Sequence, residues 1–309
     1  PSRASLLTGL HPHQTGIGIL TKDDRPHGYP GSINDRCQTV AEILSAAGYA
    51  TSLVGKWHLA SNIRTANDAW PTRRGFDHFY GTLAGSCSYF QPASLTRGEQ
   101  NIEAEATAQS DYYYTDAISS EACNFVREKA QRDQPFFMYV AYTAPHWPLQ
   151  ASEEAIAKFR GRYDEGWDVL RERRMERLRA SGLLADAVQT CERDPEEPAW
   201  EHAEHKAWEA SRMEVYAAQL HQMDKGIGNI LDTLEETGQL DNTLVMFMSD
   251  NGACAETAGT GDIGIIGTPA TTESYRTAWA NASDTPFRLY KSYVHEGGIS
   301  SPLIVRWPE

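Results

Sequence analysis

Three times along this chain a helix-length segment leads through a short turn into an apolar, strand-length run, and each run ends in a compact polar phrase. A helical period that repeatedly gives way to a strand is what a sheet with helices on its faces requires. Thr39 to Ala47 places Val40, Ile43 and Leu44 on one helical face, Gly48 stops it, and Ala50 to Val54 follows as a short strand. Thr115 to Ala130 reads as a second helix, Asp133 to Pro135 as a turn, and PFFMYVA as a buried strand ending at Ala141. A third helix from about Arg212 to Glu236 turns through Gly238 to Asn242 into the buried strand TLVMFMS. The polar phrases are GKWHL, APHWP and SDNG. Ligands of open α/β sheets bind beyond the carboxyl ends of the strands, so these phrases are expected to converge on one site.

Two stretches depart from this rhythm. Ala151 to Trp208 is charged throughout and carries its apolar residues at helical spacing, which predicts a helical excursion beside the sheet. Gly252 to Thr285 has no sustained period and reads as a long loop of the kind that carries function. With 309 residues and 40% apolar content, one large α/β unit is expected. No apolar run approaches the roughly 20 residues of a membrane span, so no membrane association is predicted. The balance of 28 basic against 42 acidic residues gives −14, which disfavours a nucleic-acid partner and obliges any anionic substrate to find a local positive pocket. Cys37, Cys87, Cys123, Cys191 and Cys254 are odd in number, dispersed and without a CxxC pair, so reduced thiols are expected rather than a disulfide framework or a zinc site. One glycosylation sequon, Asn281-Ala282-Ser283, is a pattern frequent by chance.

Taken singly, the phrases admit plain structural readings. Asp250-Asn251-Gly252 offers the carboxylate and amide oxygens that a hard divalent cation prefers, yet an isolated Asn-Gly is more often a turn. Lys56 and His58 point the same way on an extended chain and could face one anion; alternatively they are a surface lysine and a packed histidine. His146 stands between Pro145 and Trp147, where proline can fix the direction of an imidazole or simply shape a turn. Lys291 reads by default as a solvated lysine and Arg3 as an arginine near a terminus. Together they describe a hard-metal corner, three cationic side chains and two histidines, suited to transfer of an anionic tetrahedral group. That chemistry does not separate sulfate from phosphate.

At this point the sequence resembles the sulfatase family. PSRASLLTG, Pro1 to Gly9, supplies every fixed position after the nucleophile of the family's first hallmark, and GYATSLVGKWHL supplies its second. APHWP, SDNG and the lysine and Gly-Gly turn of KSYVHEGG follow in the family's order, and APHWPLQA, FRGRYDEGW and SRMEVYAAQLHQMD look like bacterial-type arylsulfatases. The resemblance implies an alkaline-phosphatase-like three-layer α/β/α fold with a mixed central sheet. It also implies hydrolysis of sulfate esters by a formylglycine hydrated to a geminal diol. Carried over by position, Asp250 and Asn251 would bind Ca2+, or Mg2+, and Arg3 would pair with the formylglycine oxygen and metal-bound carboxylates. Lys56 and Lys291 would bridge sulfate oxygens, His58 would take the proton of the diol's second hydroxyl, and His146 with Lys291 would protonate the leaving group.

The resemblance places the nucleophile two positions before Pro1, and it places two further metal-binding aspartates and a smaller carboxyl-terminal domain outside the sequence. Residues 1–309 are therefore expected to be an incomplete amino-terminal catalytic domain, with the helical excursion at about 151–208, inactive as it stands. A formylglycine-generating or anaerobic maturation enzyme is the implied partner. After Gly297-Gly298-Ile299 the chain continues Ser300-Ser301-Pro302, where relatives often carry an arginine. A phosphodiester or phosphonate monoester hydrolase of the same superfamily and a non-catalytic anion-binding relative are the alternatives.

Overall fold

The structure is a computed structural model that describes residues 1–23 and 25–308. Its contacts divide the chain into two compact units, one of Pro1–Thr143, Gln222–Thr243 and the last residues from Trp307, the other of Ala144–His221 and Leu244–Arg306.

The first unit is organised by β1 (Ala50–Gly55), every residue of which is buried. It pairs in parallel with β2 (His78–Thr82) on one side and with β5 (Phe136–Ala141) on the other. Two short strands, β3 (Leu95–Arg97) and β4 (Gln100–Asn101), add to β2 in antiparallel fashion, which makes the sheet mixed, in the order β4-β3-β2-β1-β5. Successive side chains alternate between its faces. Leu53, Phe79 and Phe137 turn to the face that also buries Ala41 of the Val40–Ala46 helix. Val54, Tyr80 and Val140 turn to the opposite face, with Ile118 of the Tyr114–Lys129 helix. A parallel strand covered on both faces is buried along its whole length, so β1 shows no alternation of exposure, and its polar residues Thr51 and Ser52 are paired with Asp77 and His78.

The Val40–Ala46 helix starts where expected because Thr39 caps it: its side chain accepts from Glu42 N–H at 3.1 Å while the Glu42 carboxylate accepts from Thr39 N–H at 2.6 Å. The second helix and strand also lie where the sequence put them, although β5 is only half-buried until Ala141.

In the second unit, β6 (Val245–Met248) pairs antiparallel with β7 (Leu303–Arg306). The expectation that TLVMFMS is a buried strand does not hold, for Met246 is 56% and Phe247 39% exposed. Among the described residues the only ladder partner of β6 is β7, and a two-stranded ribbon leaves its faces open. The core of this unit is aromatic, with the rings of Trp167 and Trp279 5.5 Å apart and those of Trp167 and Trp200 4.6 Å apart. The charged excursion becomes the Glu153–Ala157 and Gly166–Ala180 helices and then irregular chain, and the third expected helix runs longer than anticipated, over Lys206–Glu236. The long loop expected over 252–285 is interrupted by a helix, Arg276–Ser283, which holds Asn281 at 2% exposure, so the sequon is inaccessible in this fold.

All five cysteines are free. No helix among the described residues is long and apolar enough to cross a membrane.

The Thr39 cap also bridges elements, because its hydroxyl donates to the Arg74 carbonyl at 2.8 Å in a buried setting. Thr39→Ala is expected to lower stability by about 1–2 kcal/mol, read as a lower urea midpoint with unchanged slope.

Candidate active site

The candidate residues fall into two groups, one built within each unit. In the first unit, β1 ends at Gly55, whose φ of 115° is open only to glycine and whose backbone is enclosed by its neighbours. A Cβ on Gly55 would lie 2.2 Å from the Ala141 carbonyl oxygen, and one on Gly81 would lie 1.7 Å from the Gly55 oxygen. This crowding drives the chain straight into Lys56, which stays in the sheet register by donating its N–H to Ala141 O at 2.8 Å. Lys56 is only 7% exposed. Burial pushes the neighbouring Cys87 thiol up to about 12 even though the positive charge of Lys56 pulls the other way. Trp57 anchors the turn through Nε1–H to Ala69 O at 2.8 Å. His58 then adopts φ 59°, a left-handed conformation costly for a side chain with a Cβ, while its N–H donates to Leu83 O at 3.2 Å. Arg3, in the Ser2–Thr8 helix, donates from Nη1 to Lys56 O at 3.0 Å and to the Tyr139 hydroxyl at 3.1 Å. The structure therefore brings Arg3 to the Lys56 backbone, a contact that sequence reasoning did not anticipate.

In the second unit, the SDNG phrase and the Gly-Gly turn meet backbone to backbone. Gly252 N–H donates to Gly298 O at 3.2 Å, and a Cβ on Gly252 would lie 1.6 Å from Gly297 O. Lys291 N–H donates to Ala253 O at 3.0 Å, which fixes the lysine beside the strand-end loop. Asp250 contributes to the charge that keeps Lys291 protonated. Asn251 Nδ2 donates to Gly252 O at 2.9 Å, so its Oδ1 is the atom turned to accept. A carboxylate and an amide oxygen are hard donors, and this pair fits part of the shell of a calcium-like or magnesium-like cation.

His146 follows β5 and lies within a turn where the peptides before Pro145 and Pro148 are cis. Its Nδ1 lies 2.8 Å from the Trp147 carbonyl oxygen. A carbonyl can only accept, so Nδ1 carries the proton and Nε2 of the neutral ring presents a lone pair. Nε2 lies 3.4 Å from Lys291 Nζ, which places the two sequence-predicted residues in direct contact. The same ammonium touches Glu256 Oε1 at 2.8 Å and Cys254 Sγ at 3.8 Å. Burial opposes the charged form of Lys291 and is the largest single influence, but the hydrogen bond it donates to Glu256 and the nearby negative charge together outweigh it, and its pKa rises. Burial raises the Glu256 carboxyl too, yet hydrogen bonds from Lys291 and from Trp147 Nε1, at 2.8 Å, pull it down to about 2.

Glu256, Cys254, Trp147 and Asp284 were not singled out from the sequence. Trp147 lay inside a quoted phrase, and Glu256 stands five residues after Asn251 in a stretch without periodicity. Asp284 holds the loop that follows SDNG, because both its carboxylate oxygens accept from Ala253 N–H at 3.0 Å. Burial pushes Asp284 up to about 7 against the lowering effects of that hydrogen bond and of Arg174.

The sign of the Asp284 effect follows from linkage. Between its ordinary value of 3.8 and about 7 the folded chain holds a proton that the unfolded chain has lost, so stability falls as pH rises through that window. Asp284→Asn, which keeps an acceptor for Ala253, is expected to flatten the decline by on the order of 2–4 kcal/mol, measured by urea unfolding between pH 4 and pH 7.

Compared with protein families, residues 1–309 match the family described as Sulfatase. An uncharacterized sulfatase of Schizosaccharomyces pombe is 34% identical over 351 residues, covering 100% of this chain and 61% of the relative. The arylsulfatase of Klebsiella aerogenes is 32% identical over 339 residues, covering 100% of this chain and 70% of the relative. Among solved structures, Ps i-CgsB in complex with k-i-k-neocarrahexaose superposes with a TM-score of 0.64 at 25% identity, covering 100% of this chain and 55% of that one. The chain thus spans 61% of the length of the first of these relatives.

Proposed function

The chain belongs to the sulfatase family, and from that premise we propose that residues 1–309 form most of the catalytic domain of an arylsulfatase-like sulfuric ester hydrolase. The fold agrees, since a mixed sheet with a helix on each face is the alkaline-phosphatase-like α/β arrangement of such proteins. The observation that carries the proposal is the contact of the Lys291 ammonium with His146 Nε2 at 3.4 Å. It joins a cationic proton donor to a ring nitrogen that can take up a proton and pass it on.

By the family resemblance, residues of each group have a role in sulfate-ester hydrolysis. Lys56 and Lys291 hold sulfate oxygens, and their charge gains most value where burial has removed competing water. Lys291 passes a proton to His146 Nε2, the ring direction being fixed by Trp147, Nε2 delivers that proton to the leaving oxygen, and water reprotonates the lysine. His58 takes up a proton on the nucleophile's side, held in place by its constrained backbone. Arg3 ties the motif that carries the nucleophile to the Lys56 backbone. Asp250 and Asn251 would hold Ca2+, or Mg2+, which supplies positive charge for a sulfate oxygen and for the nucleophile. The nucleophile itself is proposed to be a formylglycine two positions ahead of Pro1 in the register of the motif, made by a formylglycine-generating or anaerobic maturation enzyme.

The test uses the parent protein co-expressed with its maturation enzyme, calcium-loaded, against matched aryl sulfate and aryl phosphate esters. Sulfate turnover should exceed phosphate turnover, and Lys291→Ala and His146→Ala should each lower kcat by about 10²- to 10³-fold. A polypeptide of residues 1–309 alone, lacking the motif's nucleophile position, should show no turnover. Faster phosphate hydrolysis would assign the site to phosphoryl chemistry. Inactivity toward both esters, with formylglycine verified by mass, would reject an esterase role.

A further inference from the structure

Around Lys291 lies a set of three donors of which the proposed sulfate chemistry uses only His146. His146, Cys254 and Glu256 each point one ligand atom inward, and these three atoms lie within 4.8 Å of one another. The Lys291 ammonium sits among them, 2.8 Å from Glu256 Oε1, 3.4 Å from His146 Nε2 and 3.8 Å from Cys254 Sγ. A cation already occupies the middle of the cluster, and it is an organic one.

We infer that His146, Cys254 and Glu256 form a second metal site, which takes a zinc-class ion in exchange for the Lys291 ammonium. The donor set is one imidazole nitrogen, one sulfur and one carboxylate oxygen, which favours borderline metals and sets the cluster apart from the all-oxygen pair of Asp250 and Asn251. Three protein ligands leave the fourth tetrahedral position to water.

Orientation supports the assignment. Two of the three ligands are aimed by a single residue: the Trp147 carbonyl receives His146 Nδ1–H and so turns the Nε2 lone pair inward, while Trp147 Nε1–H holds Glu256 Oε2 and leaves Oε1 facing the centre. Such outer hydrogen bonds are what position the ligands of protein metal centres. Distances are within reach as well. Metal bonds of about 2.0–2.3 Å in tetrahedral geometry place ligand atoms roughly 3.3–3.8 Å apart, so the cluster needs to contract by only about 1 Å. The Glu256 side chain is 44% exposed, which gives an ion an approach from solvent.

The exchange balances in charge and atoms. Zn2+ binds, the Cys254 thiol gives its proton to buffer and becomes a thiolate ligand, and Lys291 turns to solvent still as an ammonium. Burial holds the Cys254 thiol above its ordinary range, so uptake should strengthen as pH rises. If the sulfatase reading is right, the loaded cluster is an inhibited form, because the metal occupies the nitrogen that passes the proton and expels the lysine that holds the anion. Binding itself does not rest on that reading.

The test is therefore a binding measurement on the calcium-saturated parent protein. Titration with Co2+ should give one ion per chain and a thiolate-to-cobalt charge-transfer band, and Zn2+ should abolish the band. Cys254→Ser should remove the band and weaken Zn2+ binding, measured against a chromophoric chelator, by about 10-fold or more. Lys291→Ala should tighten Zn2+ binding, since the competing ammonium is gone, a result that an ordinary surface thiol would not give. No band in the unaltered protein, a band unchanged in Cys254→Ser, or unchanged zinc affinity in Lys291→Ala overturns the site. None of these readouts depends on turnover, so loss of the esterase assignment and loss of the metal site are separate outcomes.

Discussion

The second unit's chemistry depends on a backbone contact between glycines. Gly252 and Gly297 approach so closely that any side chain on the first would strike the carbonyl of the second, and Gly252 N–H is satisfied by Gly298. This contact draws two segments some forty residues apart into one loop cluster, and the adjoining groups complete it. Ala253 gives its N–H to Asp284 and its carbonyl to Lys291 N–H, so one residue is clamped between an acid and the lysine's backbone. The position of Lys291 is thus set by main-chain bonds before its side chain meets any partner. Only then do the contacts with Glu256, His146 and Cys254 become possible.

The first unit reaches a comparable result by different means. There the register of a parallel sheet does the positioning: β1 lies between two strands, Gly55 closes against Gly81 and Ala141, and Lys56 emerges still bonded to Ala141. A strand-end lysine of this kind inherits the rigidity of the sheet. It also inherits its burial, which costs a charged group solvation unless an anion or dipoles compensate. Arg3 binds the Lys56 carbonyl, so it braces the turn through the backbone.

Much of this was legible where local rules act. The helix expected from the spacing of Val40, Ile43 and Leu44 runs over Val40–Ala46, and the apolar run PFFMYVA is a strand ending at Ala141. The polar phrases at the strand ends were readable for the same reason, and His146 of one of them meets Lys291, which lies outside the three phrases, within the second unit. What escaped the sequence depends on distant partners. β6 looked like an interior strand, but its ladder partner is β7, whose residues come more than fifty positions later. Arg276–Ser283 hides as a helix because it is short and its residues form no clear polar face, since most of them are buried. Arg171 stands in a charged run yet is buried, fastened to Thr285. Asp284 and Glu256 are single acids in aperiodic chain, and nothing local distinguishes them from the acidic surface.

Glu256 changes how the charge balance of the chain should be understood. The protein as a whole carries −14, yet Lys291 already has a carboxylate against it, 2.8 Å away and ionised at any neutral pH. Any anion bound by Lys291 must therefore displace Glu256 or share the ammonium with it. Displacement is feasible because the glutamate is partly exposed and is held by two hydrogen-bond donors rather than by packing, so water can take over its solvation as it leaves. A hydrophobic residue at that place would leave a buried ammonium without compensation in the resting protein. The carboxylate thus keeps Lys291 charged and aligned, and an anion bound there would exchange one negative partner for another rather than add charge to an acidic surface.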